Sequence, residues 1–188
     1  MPAPKRELLL DTAEAIFAKE GFKGVSVDRL LREAGVAKMT LYKGFENKND
    51  LIAETLRRRG DRLAAHLEAY ALNADESPER QILSVFDAME DWSKQADFNG
   101  CYFINALTEY NASNEDISVL ARDYKGRFLN FLKSKCQQLE RADHDEMSRV
   151  ILLLIEGATA SHMSLGDDDS YARAKSVAAE ILSLHSGH

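Results

Sequence analysis

The chain has 188 residues, of which 45% are hydrophobic and 29% charged, with a formal net charge of −7. That composition suits an ordinary globular fold, and no stretch approaches the roughly 20 apolar residues that span a bilayer. The longest apolar run, Val150 to Ile155, is followed at once by Glu156 and Gly157. The N-terminal Lys5-Arg6 pair leads into no apolar core, so it does not read as a secretory signal. Two cysteines, Cys101 and Cys136, cannot build a disulfide framework and suit a reducing cytoplasm.

The charge is uneven. Residues 1–60 hold 12 Lys and Arg against 9 Asp and Glu, whereas residues 61–188 hold 12 against 22. A phosphate backbone tolerates the first part and repels the second, which suggests a small DNA-facing head on an acidic body.

Prolines fall only at positions 2, 4 and 78, and apolar residues recur every three or four positions, so the pattern is helical throughout. The first helix is expected from about Pro4 to Glu20, with Leu9, Ala13, Ile16 and Phe17 inward and Gly21 as its left-handed stop. Ser26 caps a second helix whose inward residues are Val27, Leu30, Leu31 and Ala34. Gly35 turns the chain into a short third helix, about Ala37 to Gly44. Asn47 and Asp50 form a capping box for a long fourth helix reaching about Leu72. Ser77-Pro78 opens a fifth, to about Gln95, and Asn99-Gly100 a sixth, to about Asn111. A seventh covers Glu115 to Arg141, an eighth Asp145 to Leu165, and Asp167, Asp168 and Asp169 begin a ninth at the positive end of its dipole. The expectation is an all-α protein of about nine helices: a helix-turn-helix head over 1–50, and a helical body for ligand binding and dimerisation over 51–188.

Two short amphipathic helices joined at Gly35-Val36 fit a helix-turn-helix. Leu41 and Phe45 anchor the second on the first, leaving Lys38, Thr40, Tyr42 and Lys43 outward. Such a face is poor core material and suits phosphate contact, although a helical hairpin with a polar face reads the same way.

The segment from about Leu8 to Leu56 resembles the TetR family of transcriptional repressors. The resemblance runs through Ala15-Ile16-Phe17, Gly21-Phe22, Ser26-Val27 and Gly35-Val36-Ala37-Lys38. It is most specific over Thr40-Leu41-Tyr42-Lys43-Gly44-Phe45-Glu46-Asn47-Lys48-Asn49-Asp50-Leu51, where the fixed positions of T-L-Y-x-x-F-x-x-K-x-x-L all match. It implies a homodimer on a palindromic operator in double-stranded DNA. Thr40 and Tyr42 are implied to bind phosphates and seat the recognition helix. Lys38 and Lys43 lie near bases or backbone, Lys48 and Ser26 add phosphate contacts, and Lys5 and Arg6 reach adjacent backbone or minor groove. Ala37, Met39, Leu31 and Lys43-Gly44 depart from the usual pattern and leave the operator sequence open.

The run Gly100-Cys101-Tyr102-Phe103-Ile104-Asn105-Ala106-Leu107-Thr108-Glu109 is similar to the start of the sixth helix in one branch of the family. A pocket for an unidentified small-molecule effector is expected from Trp92, Cys101, Phe103, Asn105, Tyr124, Phe128 and His162, although these side chains equally suit a plain core. The resemblance also implies a four-helix dimer bundle, for which the stripes Met147, Ile151, Leu154, Ala158 and Tyr171, Ala174, Ala178, Ile181 are the expected interface. No enzyme motif, metal-ligand spacing or cofactor loop occurs, so neither catalysis nor a cofactor is expected. The competing reading is a helical interaction protein that has lost specific DNA binding.

Overall fold

The computed structural model describes residues 3–74, 77–111, 115–140 and 142–183. Among them lie nine α-helices and no strand: α1 Ala3–Glu20, α2 Val27–Glu33, α3 Lys38–Gly44, α4 Lys48–Asn73, α5 Pro78–Ser93, α6 Tyr102–Tyr110, α7 Glu115–Cys136, α8 His144–Leu165 and α9 Ser170–Ser183. No described helix is long and apolar enough to cross a membrane.

The chain forms two compact units. One takes residues up to Asp61 together with Asp97–Tyr124, and the other takes Arg62–Ala96 and the residues from Lys125 onward. The unit that contains the head is therefore larger than residues 1–50. The first part of α4 joins it, as does α6, because Tyr102 and Tyr110 pack their rings edge-on against Phe22 at 4.9 and 6.2 Å. Leu9, Phe17, Phe22, Leu30, Leu41, Leu51, Ile52 and Leu56 are fully buried in this unit. Each such side chain contributes about 1.5–3 kcal/mol of burial free energy.

The second unit has its own core, in which Leu67, Ile82, Phe86, Leu132, Ile151, Ile155, Tyr171 and Ala178 meet. The packing places the residues expected at a dimer face against this unit's own core. Met147, Ile151, Ala158, Tyr171, Ala174 and Ala178 are buried by the chain itself, and Leu154 and Ile181 are half-buried against the same core. These stripes point inward because α5 and α8 both pack on α9. The solvent-facing side of α8 carries Arg149, Leu153, Gly157, Ala160 and Ser164, and that of α9 carries Arg173, Ser176, Val177 and Glu180.

Several helix ends differ from the periodicity. α5 stops at Ser93, and the N–H groups of Lys94 and Gln95 turn back to the carbonyls of Asp91 and Trp92. α6 starts only at Tyr102, since Gly100 is left-handed (φ +77°) and Cys101 takes the extended cap position. α7 ends at Cys136, followed by a 3-10 turn, Gln137–Leu139, and a left-handed Glu140 (φ +53°). Arg141, the end expected for this helix, lies outside the described residues. α9 starts at Ser170, because Asp167 Oδ1 accepts the N–H of Asp169 in a turn ahead of the helix.

Candidate nucleic-acid interface

The helix-turn-helix begins at Ser26, whose extended backbone and hydroxyl cap α2 by accepting the N–H of Arg29 at 3.3 Å. After α2 the chain reverses at Gly35, whose φ of +61° is left-handed. The N–H of Val36 closes the turn on Leu31 O at 3.0 Å. Leu41 and Phe45 are buried and fix α3 to the head. One heptad cannot bury every face of a helix, and the remainder of α3 is outward. Lys38, Tyr42 and Lys43 are exposed, Thr40 is half-buried, and Met39 leaves 66% of its surface in solvent. Met39 was not among the expected contact residues, yet an apolar side chain so exposed on this face has no core role.

The cations expected at DNA have distinct settings. Lys5 is exposed, and Lys38 Nζ lies 3.8 Å from Asp28, with both groups well solvated. Arg6 donates to Glu54 at 2.9 Å and stacks over the Phe45 ring at 4.9 Å. The Glu54 hydrogen bond holds the Arg6 guanidinium above its ordinary pKa and lowers that of the Glu54 carboxyl. Lys48 donates to the carbonyls of Phe22 at 2.6 Å and Lys23 at 3.3 Å, and burial pulls its pKa down. At the start of α4, Asn47 Oδ1 accepts the N–H groups of Asn49 and Asp50, as a capping residue should. The reciprocal arm of the expected capping box falls one residue early: Asp50 accepts from Glu46 N at 3.1 Å.

Beneath this surface lies a buried ionic cluster with no precedent in the motif. Arg59 Nη1 meets Asp97 at 2.5 Å and Glu14 at 3.4 Å, and its guanidinium stands 5.1 Å from the centre of the Tyr102 ring. Tyr102 in turn donates to Thr55 Oγ1 at 3.0 Å. Sequence periodicity misses such a cluster, because charged positions are read as solvent-facing. A groove of about 800 Å³ in the same unit is lined by Glu46, Asp50, Glu115, Asp116 and Asp123 with Arg57 as its one cation, a net negative set that repels DNA.

The residues expected to form an effector pocket divide between the two units. Phe103 and Tyr124 stack at 5.2 Å in the first, where Asn105 also donates to the carbonyl of Asn99 at 3.1 Å. Cys101 there is half-buried. In the second unit Trp92 packs on His66 at 5.3 Å, His162 on Tyr171 at 6.1 Å, and Phe128 lies under the Lys125 ammonium.

Comparison with known proteins agrees with this geometry. Residues 9–55 match the family described as bacterial regulatory proteins, tetR family. The HTH-type transcriptional repressor ComR of Escherichia coli is 31% identical over 137 residues, which are 72% of this chain and 60% of that protein. An HTH-type regulator of Lactococcus lactis is 26% identical over 59% of this chain and 57% of its own. The chain thus spans about three fifths of the length of these two curated relatives. The crystal structure of a TetR-family transcriptional regulator from Streptomyces coelicolor superposes with a TM-score of 0.86 at 28% identity, covering 95% of this chain and 93% of that one. A TetR regulator from Chloroflexus aurantiacus shares the fold at 18% identity, with a TM-score of 0.85 and coverage of 96% and 94%. By its head, its motif and its all-helical architecture, the chain belongs to the TetR family of transcriptional regulators.

Proposed function

We propose that the protein is a cytoplasmic repressor that binds a palindromic operator as a homodimer and is released by a small-molecule effector. The observation that carries this reading is the outward face of α3, where Tyr42 is 52% exposed beside Lys43 and one turn from Lys38. A large phenol held in water beside cations on a seven-residue helix has no packing purpose, and it suits docking against phosphates in a major groove.

Ser26, Thr40, Tyr42, Lys38 and Lys43 form the phosphate- and base-facing set, with Lys5 reaching from the first turn of α1. Arg6 and Lys48 act mainly by holding the head together, since both spend their donors on groups within it. Two copies meet through the exposed sides of α8 and α9, where Gly157 and Ala160 permit close helix approach. Repression is relieved when an effector binds the non-operator conformation more tightly, by about 1–3 kcal/mol for a typical coupling. A small-molecule effector site is part of this reading, which contains no catalytic step.

The test is selection of DNA by the purified protein from a random duplex pool, with Tyr42→Ala in parallel. Recovery of a palindrome by wild type alone supports the reading. Recovery of no sequence by either protein at low salt overturns it in favour of a helical interaction protein.

A further inference from the structure

The turn between α1 and α2 is held from two sides by charged groups that belong to neither helix. Glu109, in the last turn of α6, accepts the N–H of Phe22 at 2.9 Å (Oε1) and 3.1 Å (Oε2), and that of Lys23 at 2.6 Å. Lys48, the first residue of α4, donates to the carbonyls of the same two residues. Phe22 and Lys23 thus give their N–H groups to a carboxylate and their C=O groups to an ammonium. Hydrogen bonds with one charged partner are roughly twice as strong as neutral ones.

Two further features belong to this seat. Gly21 is left-handed (φ +78°), and a Cβ there would lie 2.6 Å from Glu109 Oε1, so the carboxylate reaches the turn only over a glycine. The neighbouring Tyr110 packs on Phe22, and the Lys23 ammonium stands 5.3 Å from its ring centre. The charge of Glu109 also acts on Lys48, opposing the effect of burial on its ammonium.

We propose that Glu109 is a positioning residue for DNA recognition, resting on the DNA-binding reading above. It sets the turn from which α2 departs and on which Lys48 is moored, and so the placement of α3, which packs on α1 and α2. Its own charge is one that DNA repels, so its contribution to binding runs through geometry.

Glu109→Gln keeps the shape, but it puts an amide where two N–H groups need acceptors. Glu109→Asp keeps the charge and withdraws it by one methylene. Both variants are compared with wild type for backbone amide exchange and for affinity to the duplex that wild type recovers from the random pool. The expected result is at least about tenfold faster exchange at Phe22 and Lys23 in both variants, with exchange at Ile151 and Ile155 of α8 unchanged. Affinity is expected to fall about tenfold in both, including the Gln variant from which a negative charge has been removed. Simple charge repulsion predicts the opposite sign for Gln and no change for Asp, and general destabilisation would speed exchange in α8 as well. Unchanged exchange at the turn, or affinity equal to or above wild type in Glu109→Gln, overturns the proposal. A wild type that recovers no duplex sinks the DNA-binding reading, whereas variants that bind as well as a competent wild type sink the role of Glu109 alone.

Discussion

Gly60 of α4 faces the ring of Tyr124 of α7 so closely that a Cβ at Gly60 would overlap the ring carbons Cδ1 and Cε1. Mid-helix glycine costs about 1 kcal/mol relative to alanine, so helix propensity alone predicts that Gly60→Ala stabilises. Overpacking costs about 1–3 kcal/mol and wins here, because Tyr124 is also stacked on Phe103 and cannot swing away freely. Gly60→Ala is expected to destabilise by about 1–2 kcal/mol in urea denaturation, and Gly60→Ala with Tyr124→Leu to recover most of that loss.

The Arg59 and Glu14 side chains are 3% and 4% exposed, so neither charge can be left alone. Arg59→Met removes the nearer cation from the buried Glu14 carboxylate, leaving Arg58 Nε at 3.9 Å, and is expected to cost about 3–5 kcal/mol. Replacing both, as Arg59→Met with Glu14→Leu, also removes the buried carboxylate and is expected to restore most of the stability. Equal losses in the single and double variants would contradict the account.

Tyr70 donates to Asp91, and this hydrogen bond pushes its phenol up to about 12. The folded state thus holds this proton more tightly than the unfolded chain, whose phenol titrates near 10. The stabilisation is complete below pH 10 and is lost as pH rises through 12. Ultraviolet titration should show a phenol ionising near pH 12 that is absent in Tyr70→Phe and shifted toward 10 in Asp91→Asn.

Leu153 lies 67% exposed at the centre of the outward side of α8, beside Gly157. If two copies meet there, a buried carboxylate cannot be tolerated, and Leu153→Glu is expected to sediment as a monomer while keeping its helical content. A variant that still sediments as a dimer would place the interface elsewhere.

Lys43 is exposed on α3 and has no packing duty. Lys43→Gln is expected to reduce the slope of log affinity against log salt by about 0.9, the value for one phosphate contact. An unchanged slope would remove Lys43 from the phosphate-binding set.

Much of the head was legible because its signals are local. Ser26 as a cap, Gly21 and Gly35 as left-handed stops, and Leu41 and Phe45 as anchors each depend on a few neighbouring residues, and the structure places all five in those roles. The nine α-helices among the described residues follow for the same reason, since a period of three to four in apolar residues reflects helical geometry alone.

What tertiary structure decided is partnership. The period of α8 and α9 shows that each has an apolar stripe, but a stripe is equally apolar toward a neighbouring helix or a second chain. Here α8 and α9 pack on each other and α5 packs on α9, and the outward residues include Leu153, Ala160 and Val177. Likewise the sequence gives no sign of the seat that Glu109 and Lys48 share, because their partners are backbone groups 86 and 25 residues away. Residue types and spacing determine which helices form and where they stop. Only the folded chain determines which charges are buried, because desolvation depends on neighbours that are distant in sequence.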